Sequence, residues 1–413
     1  MTKQERSWIL YDCANSAQTL VVTTAILPIF FKSYAAADLS AEQSTFYWGL
    51  GNTVAAIIVA IMAPILGSMA DREGVKKRLF ALFLVIGLVS TASLAAVGQG
   101  DWVLCLFIYG LSTIGFYGST VFYDSFLVDV TQKDRMDWVS SNGFAWGYLA
   151  STIPYIVCML LIAQAESLGF ASKASATRFA FIITAVWWCV LSIPMLRHVK
   201  QRHFVPATAN PVRESLARLA ATLRDIARYK HLFLFLLAYF LYIDGVHTIY
   251  KMATSFGLDV GIDSTQLMLI LLVTQLVAFP FAILYGKLAG RFTARRMILF
   301  GIGTYFGVTI LAFFIASAWH FWLLAILVGT AQGGIQSLSR SFYGKLVPPE
   351  KSAQFFGFYD IFGKFAAILG PVMVGGFGLL FGNVRVGVFS LILLFLLGGL
   401  LLLKVDAEKA AAS

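Results

Sequence analysis

Three polar side chains recur at helical spacing inside one long apolar stretch of the sequence: Asp244, His247 and Lys251. Steps of three and four residues place them on one face of a helix. If that helix begins near residue 232, a rise of about 1.5 Å per residue puts Asp244 roughly 18 Å along it, near the midplane of a bilayer, and Lys251 near its far end. A carboxylate and an imidazole at that depth could bind a proton or the charged end of a solute. The alternative is an ion pair that only fixes helix packing.

Further polar residues interrupt other apolar stretches. Asp360 and Lys364 are four residues apart and share a helix face; they could neutralise each other, or Lys364 could bind a substrate carboxylate. Asp12 lies about 6–8 Å inside the first apolar stretch, with Asn15 one turn further. Both residues fit either a gate or substrate contact, or a hydrogen bond between helices. Four aromatic residues could line a cavity, although each also fits simple packing: Tyr11, Trp146, Tyr242 and Tyr359.

The composition determines which elements must hold these residues. Of the 413 residues, 59% are hydrophobic and 13% charged, and the mean hydropathy is +0.79. Soluble domains carry about 25% charged residues, so the chain requires lipid around it. Apolar runs of about 20 residues, enough to cross a bilayer, number twelve and predict an all-α membrane protein with spans at 8–31, 45–69, 79–98, 103–128, 138–164, 177–196, 232–255, 265–285, 297–317, 319–342, 353–380 and 384–403.

The net charge of +10 is a topology signal. If the even-numbered connections face the cytoplasm, 25 of the 31 lysines and arginines fall on that side, four on the other and two within helices. Positive charge is retained on the cytoplasmic side, so both termini are predicted to be cytoplasmic in a bacterial inner membrane. The same distribution argues against a nucleic-acid-binding protein.

Enzyme, metal and cofactor chemistry finds no support in the sequence. The four cysteines fall in hydrophobic spans with no disulfide or metal-site spacing, and no Gly-x-x-x-x-Gly-Lys-Ser/Thr phosphate loop occurs. No nucleophile–base pattern stands out among the five histidines. We therefore expect no enzymatic activity, no cofactor and no bound metal, with a small solute and membrane lipid as partners of a monomer.

One long polar stretch divides the chain into residues 1–196, 197–230 and 231–413. Within the middle segment, apolar residues recur at helical spacing between arginines, which favours a helix on the cytoplasmic membrane surface. The alternative is a solvated linker with incidental periodicity. The apolar residues of this pattern are Leu216, Leu219, Leu223 and Ile226.

The two halves resemble each other at a nearly constant offset. Residues 67–78 correspond to residues 286–296, 219 positions later, and Pro154 lies 217 residues before Pro371. A third alignment sets residues 118–129 against 334–345. The matches indicate a duplicated six-helix unit, as in transporters built from repeats.

This alignment places opposite charges at equivalent positions. Asp124 corresponds to Arg340, and Asp129 to Lys345. We predict that Asp124 and Arg340 belong to a charge network that forms in one access state and loosens in the other, because switching requires contacts that differ between states. The alternative is that these residues are independent anchors at helix ends.

The segment after the second span resembles the Gly-x-x-x-Asp-Arg-x-Gly signature of the major facilitator superfamily. Gly67 would permit close helix approach, Asp71 would face the positive N-terminus of a neighbouring helix, and Gly74 would allow a tight turn. Val75 replaces the first basic residue of the signature, and the second copy lacks both the Asp and the second Gly. The basic residues of the motif are Arg72, Lys76, Lys77 and Arg78.

A narrower resemblance is to the vacuole-effluxer-like branch of that superfamily. It rests on residues 8–16, 332–348 and 355–371, which include Tyr-Asp-Cys-Ala-Asn-Ser, Gln-Ser-Leu-Ser-Arg-Ser and Phe-Gly-Phe-Tyr-Asp. The resemblance implies two pseudo-symmetric six-helix bundles and efflux of amino acids or similar small metabolites. We expect coupling to protons, because Asp and His titrate. The alternatives are an exporter of drugs, siderophores or peptide-like compounds, and a non-transporting receptor or scaffold.

Overall fold

The computed structural model describes residues 1–206, 217, 220–222, 229–259, 262, 264–315, 317–366 and 368–406. In this part of the chain, eleven helices are long and apolar enough to cross a membrane, and one shorter apolar helix, Leu369–Phe381, accompanies them. The architecture is all-helical, as predicted, and the predicted spans each correspond to an observed helix or helix pair.

Six helices form the N-terminal bundle. Local signals set where they begin: Thr2 and Ser40 each form a capping box with the residue three positions on, and Gly74, with a left-handed backbone at φ 70°, directly precedes the helix that starts at Val75. The six are α1 Lys3–Ala35, α2 Ala41–Ala70, α3 Val75–Ser93, α4 Trp102–Ser125, α5 Met136–Ala163 and α6 Lys173–His198.

The second bundle differs from the prediction at its eleventh crossing. The sequence predicts one span over 353–380, whereas the structure has two helices there, an inner segment that ends at Phe365 and an outer segment that begins at Leu369. Pro371 lies in the first turn of the outer segment, where its missing N–H is not needed. The helices are α7 Lys230–Asp259, α8 Ser264–Phe292, α9 Ala294–Phe313, α10 Ala318–Leu346, α11 with segments Ser352–Phe365 and Leu369–Phe381, and α12 Arg385–Leu403.

The two bundles meet mainly on one side of the membrane. We call the face that holds residues 3 and 403 the terminal face. The contacts between bundles join α5 with α8 and α10, and α2 and α4 with the inner segment of α11. Away from this face, the outer part of α1 packs against α5 and α6, and the outer segment of α11 packs against α7 and α12, each within its own bundle. The molecule is thus held together at the terminal face.

The polar segment after α6 begins as a strap along the terminal face. The Val205 N–H donates to the Asp71 carbonyl oxygen at 2.9 Å, and the Gln201 side chain donates to the Ala70 carbonyl oxygen at 3.2 Å. The predicted surface helix and its apolar residues lie almost wholly outside the described residues and remain a prediction. Within that region Thr222 is helical and accepts a hydrogen bond from Gln354 at 2.8 Å.

Candidate functional site

Arg340 of α10 is bonded to three helices of the opposite bundle. Its guanidinium donates to Asp12 of α1 at 2.9 Å and to Asp124 of α4 at 3.0 Å. It also donates to the hydroxyl and the backbone carbonyl of Ser140 on α5, at 2.9 and 3.1 Å. Asp124 and Arg340, which the repeat places at equivalent positions, are in contact, and Asp12 joins them; the loosening of this contact in the other access state stays a prediction. We call these four residues the Arg340 cluster.

Aromatic rings enclose this cluster. The guanidinium carbon lies 4.6 Å from the ring centre of Trp8 and 4.3 Å from that of Phe144, within the range of a cation–π interaction. The Trp8 indole donates to the Tyr123 carbonyl oxygen at 2.9 Å and stacks on its ring. Arg340 is 2% exposed. The guanidinium is therefore fixed by hydrogen bonds in its plane and by rings on its faces.

A glycine makes room for the cluster. An added Cβ at Gly143 of α5 would lie 2.3 Å from a carboxylate oxygen of Asp12 and 3.0 Å from a terminal nitrogen of Arg340. A methyl group there would displace the carboxylate. The close approach of α1, α5 and α10 thus depends on the missing side chain.

A second ionic contact between the bundles lies at the start of α5. The Lys345 ammonium pairs with Asp137 at 2.5 Å, and the Ser341 hydroxyl donates to the same carboxylate at 2.7 Å. Nearby, the Ser140 hydroxyl donates to the Ser337 carbonyl oxygen at 2.7 Å. Lys345 therefore contributes to the interface, but through Asp137, which the sequence reasoning missed.

Asp129, the repeat counterpart of Lys345, is paired within its own bundle. Its carboxylate accepts from the Lys76 ammonium at 2.9 Å and from the backbone N–H groups of Arg202 and His203 at 2.8 and 2.9 Å. Lys76 in turn donates to Ser352 of α11 at 2.8 Å. Asp129 thus anchors the strap, while Lys76 reaches across to the other bundle.

The signature motif closes the contact between α2 and α11. Both oxygens of the Asp71 carboxylate accept backbone N–H groups at the start of α11, from Ala353 at 2.7 Å and Gln354 at 3.0 Å. A Cβ at Gly67 would lie 2.3 Å from the Ala353 carbonyl oxygen. These contacts match the roles expected of the aspartate and the first glycine: charge at a helix N-terminus and close helix approach.

The remaining basic residues of the motif lie at its edge. Arg72 is buried beside the strap, and the Lys77 ammonium donates to the Val199 carbonyl oxygen at 2.9 Å, while Arg78 is exposed.

The second repeat uses the same geometry with different residues. Gly286 of α8 corresponds to Gly67, and a Cβ there would lie 2.6 Å from the Cβ of Ser141 on α5. The α5–α8 contact therefore mirrors the α2–α11 contact. The two halves share a glycine at the crossing, even though the second copy has no counterpart of Asp71.

Asp244 lies at the break in α11. Its two carboxylate oxygens accept the Gly370 N–H, each at 3.0 Å, and the Thr248 hydroxyl donates to it at 3.3 Å. The side chain is fully buried. A carboxylate at the first turn of the outer segment satisfies free N–H groups there. The contact joins α7 to α11 through a backbone N–H, whereas the alternative considered above was an ion pair.

The other candidates are distributed around the interface. Tyr11 is fully buried and donates to Ser119 at 2.8 Å within its own bundle. Tyr359 stacks between Tyr239 and Tyr343, at 4.3 and 5.1 Å between ring centres. Of the remaining residues, Asn15 is buried, His247 and Asp360 are half-buried, and the side chains of Lys251 and Lys364 lie outside the described part of the structure.

An apolar cavity of about 80 Å³ lies inside the C-terminal bundle, away from the Arg340 cluster. Thr248, which bonds Asp244, forms part of its wall with Tyr250, Thr274 and Thr309; the rest is aliphatic and aromatic. The described residues contain no group of three or more His, Cys, Asp or Glu side chains arranged to hold a metal ion. The site is thus a set of ion pairs at the junction of two bundles.

Comparison with known proteins gives consistent matches. The family model for vacuole effluxer Atg22-like proteins matches residues 40–135 and 128–413. A protein of Bacillus subtilis (strain 168), named as an uncharacterized MFS-type transporter, YxiO, is 50% identical over 412 residues, which cover 99% of this chain and 96% of that protein. Autophagy-related protein 22 of Coccidioides immitis (strain RS) is 28% identical over 298 residues, covering 66% of this chain and 49% of that protein.

Solved structures share the fold at low sequence identity. The human organic anion transporter MFSD10 (TETRAN) superposes with a TM-score of 0.75 at 14% identity, covering 97% of this chain and 99% of that one. The proton:xylose symporter XylE, bound to 6-bromo-6-deoxy-D-glucose, superposes with a TM-score of 0.74 at 12% identity, covering 97% and 95%. The arrangement of helices is therefore that of the major facilitator superfamily.

Proposed function

Since the chain belongs to the vacuole effluxer Atg22-like family of major facilitator transporters, we propose that it exports amino acids or similar small metabolites from the cytoplasm by alternating access. The family description names an effluxer, and the sequence resemblance to the vacuole-effluxer-like branch supplies the solute class. The terminal face is the cytoplasmic one in this proposal, because it carries most of the lysines and arginines. The membrane is the bacterial cytoplasmic membrane.

The observation that carries the proposal is the bonding of Arg340 across the interface. A buried guanidinium that takes two carboxylates from the other bundle, at 2.9 and 3.0 Å, loses both partners if the bundles separate at the terminal face. Breaking a buried ion pair without replacement is strongly unfavourable. The cluster therefore acts as a latch that holds the cytoplasmic side shut and reforms in each cycle.

The glycine crossings and the Lys345 pair belong to the same gate. Asp137 and Lys345, and the two crossings at Gly67 and Gly286, all join the bundles on the terminal face. Contacts that exist in only one access state set the free-energy difference between the states. In this proposal they favour the state in which the central space faces away from the cytoplasm.

Proton coupling is the expected energy source. Export against a gradient requires an ion or solute that moves in the opposite sense, and the buried carboxylates on the bundle interface are groups that can carry a proton. Asp244 and His247 are the residues of α7 that the sequence suggests as proton acceptors. Because Asp244 accepts the Gly370 N–H in the structure, it serves as a contact at the helix break as well as a candidate proton acceptor.

Two experiments test the proposal in sequence. Thermal-shift measurements on the purified protein with a panel of amino acids and related metabolites should show a stabilised protein with at least one of them, since a ligand that binds only the folded state raises the melting temperature. Proteoliposomes loaded with that compound should then show saturable counterflow of its labelled form, and Arg340→Gln should abolish it. Broad competition by apolar drugs with no response to amino acids would favour the alternative exporter. Binding without counterflow would favour a receptor.

A further inference from the structure

Two buried glutamines of the C-terminal bundle each have an amide oxygen without a hydrogen-bond partner among the described residues. They are Gln275 of α8 and Gln332 of α10, and each is 5% exposed. Roughly nine-tenths or more of the buried polar groups in proteins are hydrogen-bonded, and a buried acceptor that lacks a donor is unfavourable. The two amide oxygens therefore call for a donor from outside the described chain.

Two tyrosines surround these glutamines where the bundles face each other. The Gln275 amide nitrogen donates to the hydroxyl of Tyr250 on α7 at 3.3 Å, and the Gln332 amide interacts with the phenol of Tyr148 on α5. The two phenols lie within electrostatic range of each other, and both rings are only half-buried. Tyr148 belongs to the N-terminal bundle and the other three residues to the C-terminal bundle. We call these four residues the amide cluster.

A glycine allows the Tyr148 ring to lie against α10. A Cβ at Gly333 would be 3.0 Å from a ring carbon of Tyr148 and 2.8 Å from the Cβ of Ala282 on α8. Gln332 precedes Arg340 by eight residues, which is about 12 Å along the helix. The amide cluster therefore lies deeper in the membrane than the Arg340 cluster, on the side away from the terminal face.

We propose that the amide cluster binds the ammonium group of the exported solute. An alkylammonium group has three N–H donors and no acceptor, so it can satisfy both amide oxygens and one phenol oxygen together. The faces of the tyrosine rings attract the same charge. The inference rests on the proposed export of amino acids or similar metabolites, and it adds which end of the solute the protein recognises and which side chains recognise it.

A carboxylate group does not fit the same acceptors. A carboxylate also accepts hydrogen bonds, so it would leave the amide oxygens without donors. Arg340 is a cation within electrostatic range of Tyr148, but its guanidinium is already bonded to the other members of the Arg340 cluster. The amide cluster should therefore select a solute by its amino group, whether or not the solute also has a carboxylate.

The experiment compares compounds that carry only one of the two groups. Amino-acid amides keep the ammonium group and lack the carboxylate, whereas N-acetyl amino acids keep the carboxylate and lack the ammonium group. Both series are prepared with the side chains of glycine, alanine, serine, norvaline and phenylalanine. The melting temperature of the purified protein is measured against the concentration of each compound at pH 6.5. Tetramethylammonium chloride, a cation without N–H groups, controls for ionic strength.

At least one amide should raise the melting temperature, because a ligand of the folded state stabilises it. Its N-acetyl counterpart and tetramethylammonium should not. In Gln332→Met and in Gln275→Met, the concentration of that amide for half-maximal stabilisation should rise at least about tenfold, because a hydrogen bond to a charged group is lost. Gln164→Met, at an exposed position after α5, is the matched control and should keep the parent value.

The same variants separate binding from a role in the fold. Methionine has nearly the length of glutamine and carries no amide oxygen that needs a donor, which offsets the loss of the other amide contact. Without ligand, both methionine variants should therefore melt near the parent protein. A glutamine that only supported the fold would give a lower melting temperature and an unchanged half-maximal concentration. If a methionine variant is not monodisperse, the alanine variant at that position replaces it.

Three results would overturn the proposal: stabilisation by the N-acetyl series and not by the amides, no stabilisation by any amide, or parent-like half-maximal concentrations in the variants of both glutamines. Counterflow is measured separately in proteoliposomes. Counterflow together with any of these three results would reject the ammonium site and leave the proposed transport intact. The expected binding results without counterflow would reject transport and leave the site intact.

Discussion

At the scale of single residues, one arginine connects observations that the sequence presents separately. The internal repeat identifies Asp124 and Arg340 as opposite charges at equivalent positions, and the structure brings them to 3.0 Å. Asp12 was predicted as a separate gate or substrate residue, because periodicity along one helix gives no information about its neighbours. Its place beside Arg340 depends on how α1, α5 and α10 cross, which only the folded chain determines.

Some residues of the interface give weak signals in the sequence. Asp137 and Ser140 lie near the start of a span, where polar residues are common, so nothing distinguishes them from ordinary helix-end residues. Ser352 likewise reads as a residue at the start of a helix. Each of the three forms a hydrogen bond to the opposite bundle: Asp137 accepts from Ser341, Ser140 from Arg340, and Ser352 from Lys76. One signal does point to Asp137. If a carboxylate partner is sought for every lysine near the predicted cytoplasmic ends of the spans, Asp137 is among the candidates.

The role of Gly143 gives a prediction at this scale. In Gly143→Ala the new methyl group displaces the Asp12 carboxylate and weakens its bond to Arg340, at a cost of about 1.5–3 kcal/mol for a hydrogen bond to a charged group. Ser337 is fully buried at the interface, 3.1 Å from Ser141 between hydroxyl oxygens. The terminal face should open more often, so that a charged methanethiosulfonate reagent labels Ser337→Cys faster in this background than in the parent protein. Gly110→Ala is the matched control, because a Cβ at Gly110 meets no atom within 4 Å. Equal labelling rates in the two alanine variants would mean that the Asp12 bond does not hold the gate.

At the scale of elements, the interrupted α11 is the main departure from the sequence prediction. The apolar run over 353–380 is continuous in composition, so hydropathy gives one span. Gly370 and Pro371 follow one another within it, and this pair marks the first turn of the outer segment. The structure adds the reason for the position of the break: the Asp244 carboxylate is buried opposite the Gly370 N–H.

Substitution at Gly370 tests whether Asp244 stabilises this break. A Cβ in Gly370→Ala would lie 2.1 Å from the Thr248 hydroxyl and 2.9 Å from a carboxylate oxygen of Asp244. The carboxylate must move, and the loss of a charged hydrogen bond costs about 1.5–3 kcal/mol. We expect a melting temperature several degrees lower in a thermal-shift assay. Gly375→Ala, on the same segment with no atom within 4 Å of its Cβ, should melt like the parent. A Gly370→Ala protein as stable as Gly375→Ala would show that the cap contributes little.

The crossing of α2 and α11 gives a second test at this scale. In Gly67→Ala the methyl group would meet the backbone carbonyl oxygen of Ala353 at 2.3 Å, and a backbone atom cannot turn away as a side chain can. The two helices must separate, which should raise the labelling of Ser337→Cys from the terminal face. Gly303→Ala on α9 has no atom within 4 Å of its new Cβ and serves as the control. If Ser337→Cys is labelled at the same rate in Gly67→Ala as in Gly303→Ala, the two helices can move apart at this crossing without opening the interface.

At the scale of the whole molecule, composition and the repeat were sufficient for the architecture. A high apolar content requires lipid, twelve runs give the crossings, and the offset of about 219 residues gives two related bundles. The sequence could not determine which face is closed, because the same helices form both access states. In the structure the ionic contacts between bundles that involve described residues lie on the terminal face.

The central claim is that the two bundles pivot and that Arg340 holds one face shut. Spin labels at Arg78 and Lys287, both exposed at the terminal face, and at Lys32 and Asn383, exposed at the opposite face, report each opening as a distance by pulsed electron resonance. The labels are introduced in a Cys189→Ser background, because Cys189 is exposed whereas the other three cysteines are buried. We predict that Arg340→Gln lengthens the terminal-face distance and shortens the opposite-face distance in the same preparation. Distances at both faces that remain unchanged in Arg340→Gln, or that lengthen together, would contradict the account.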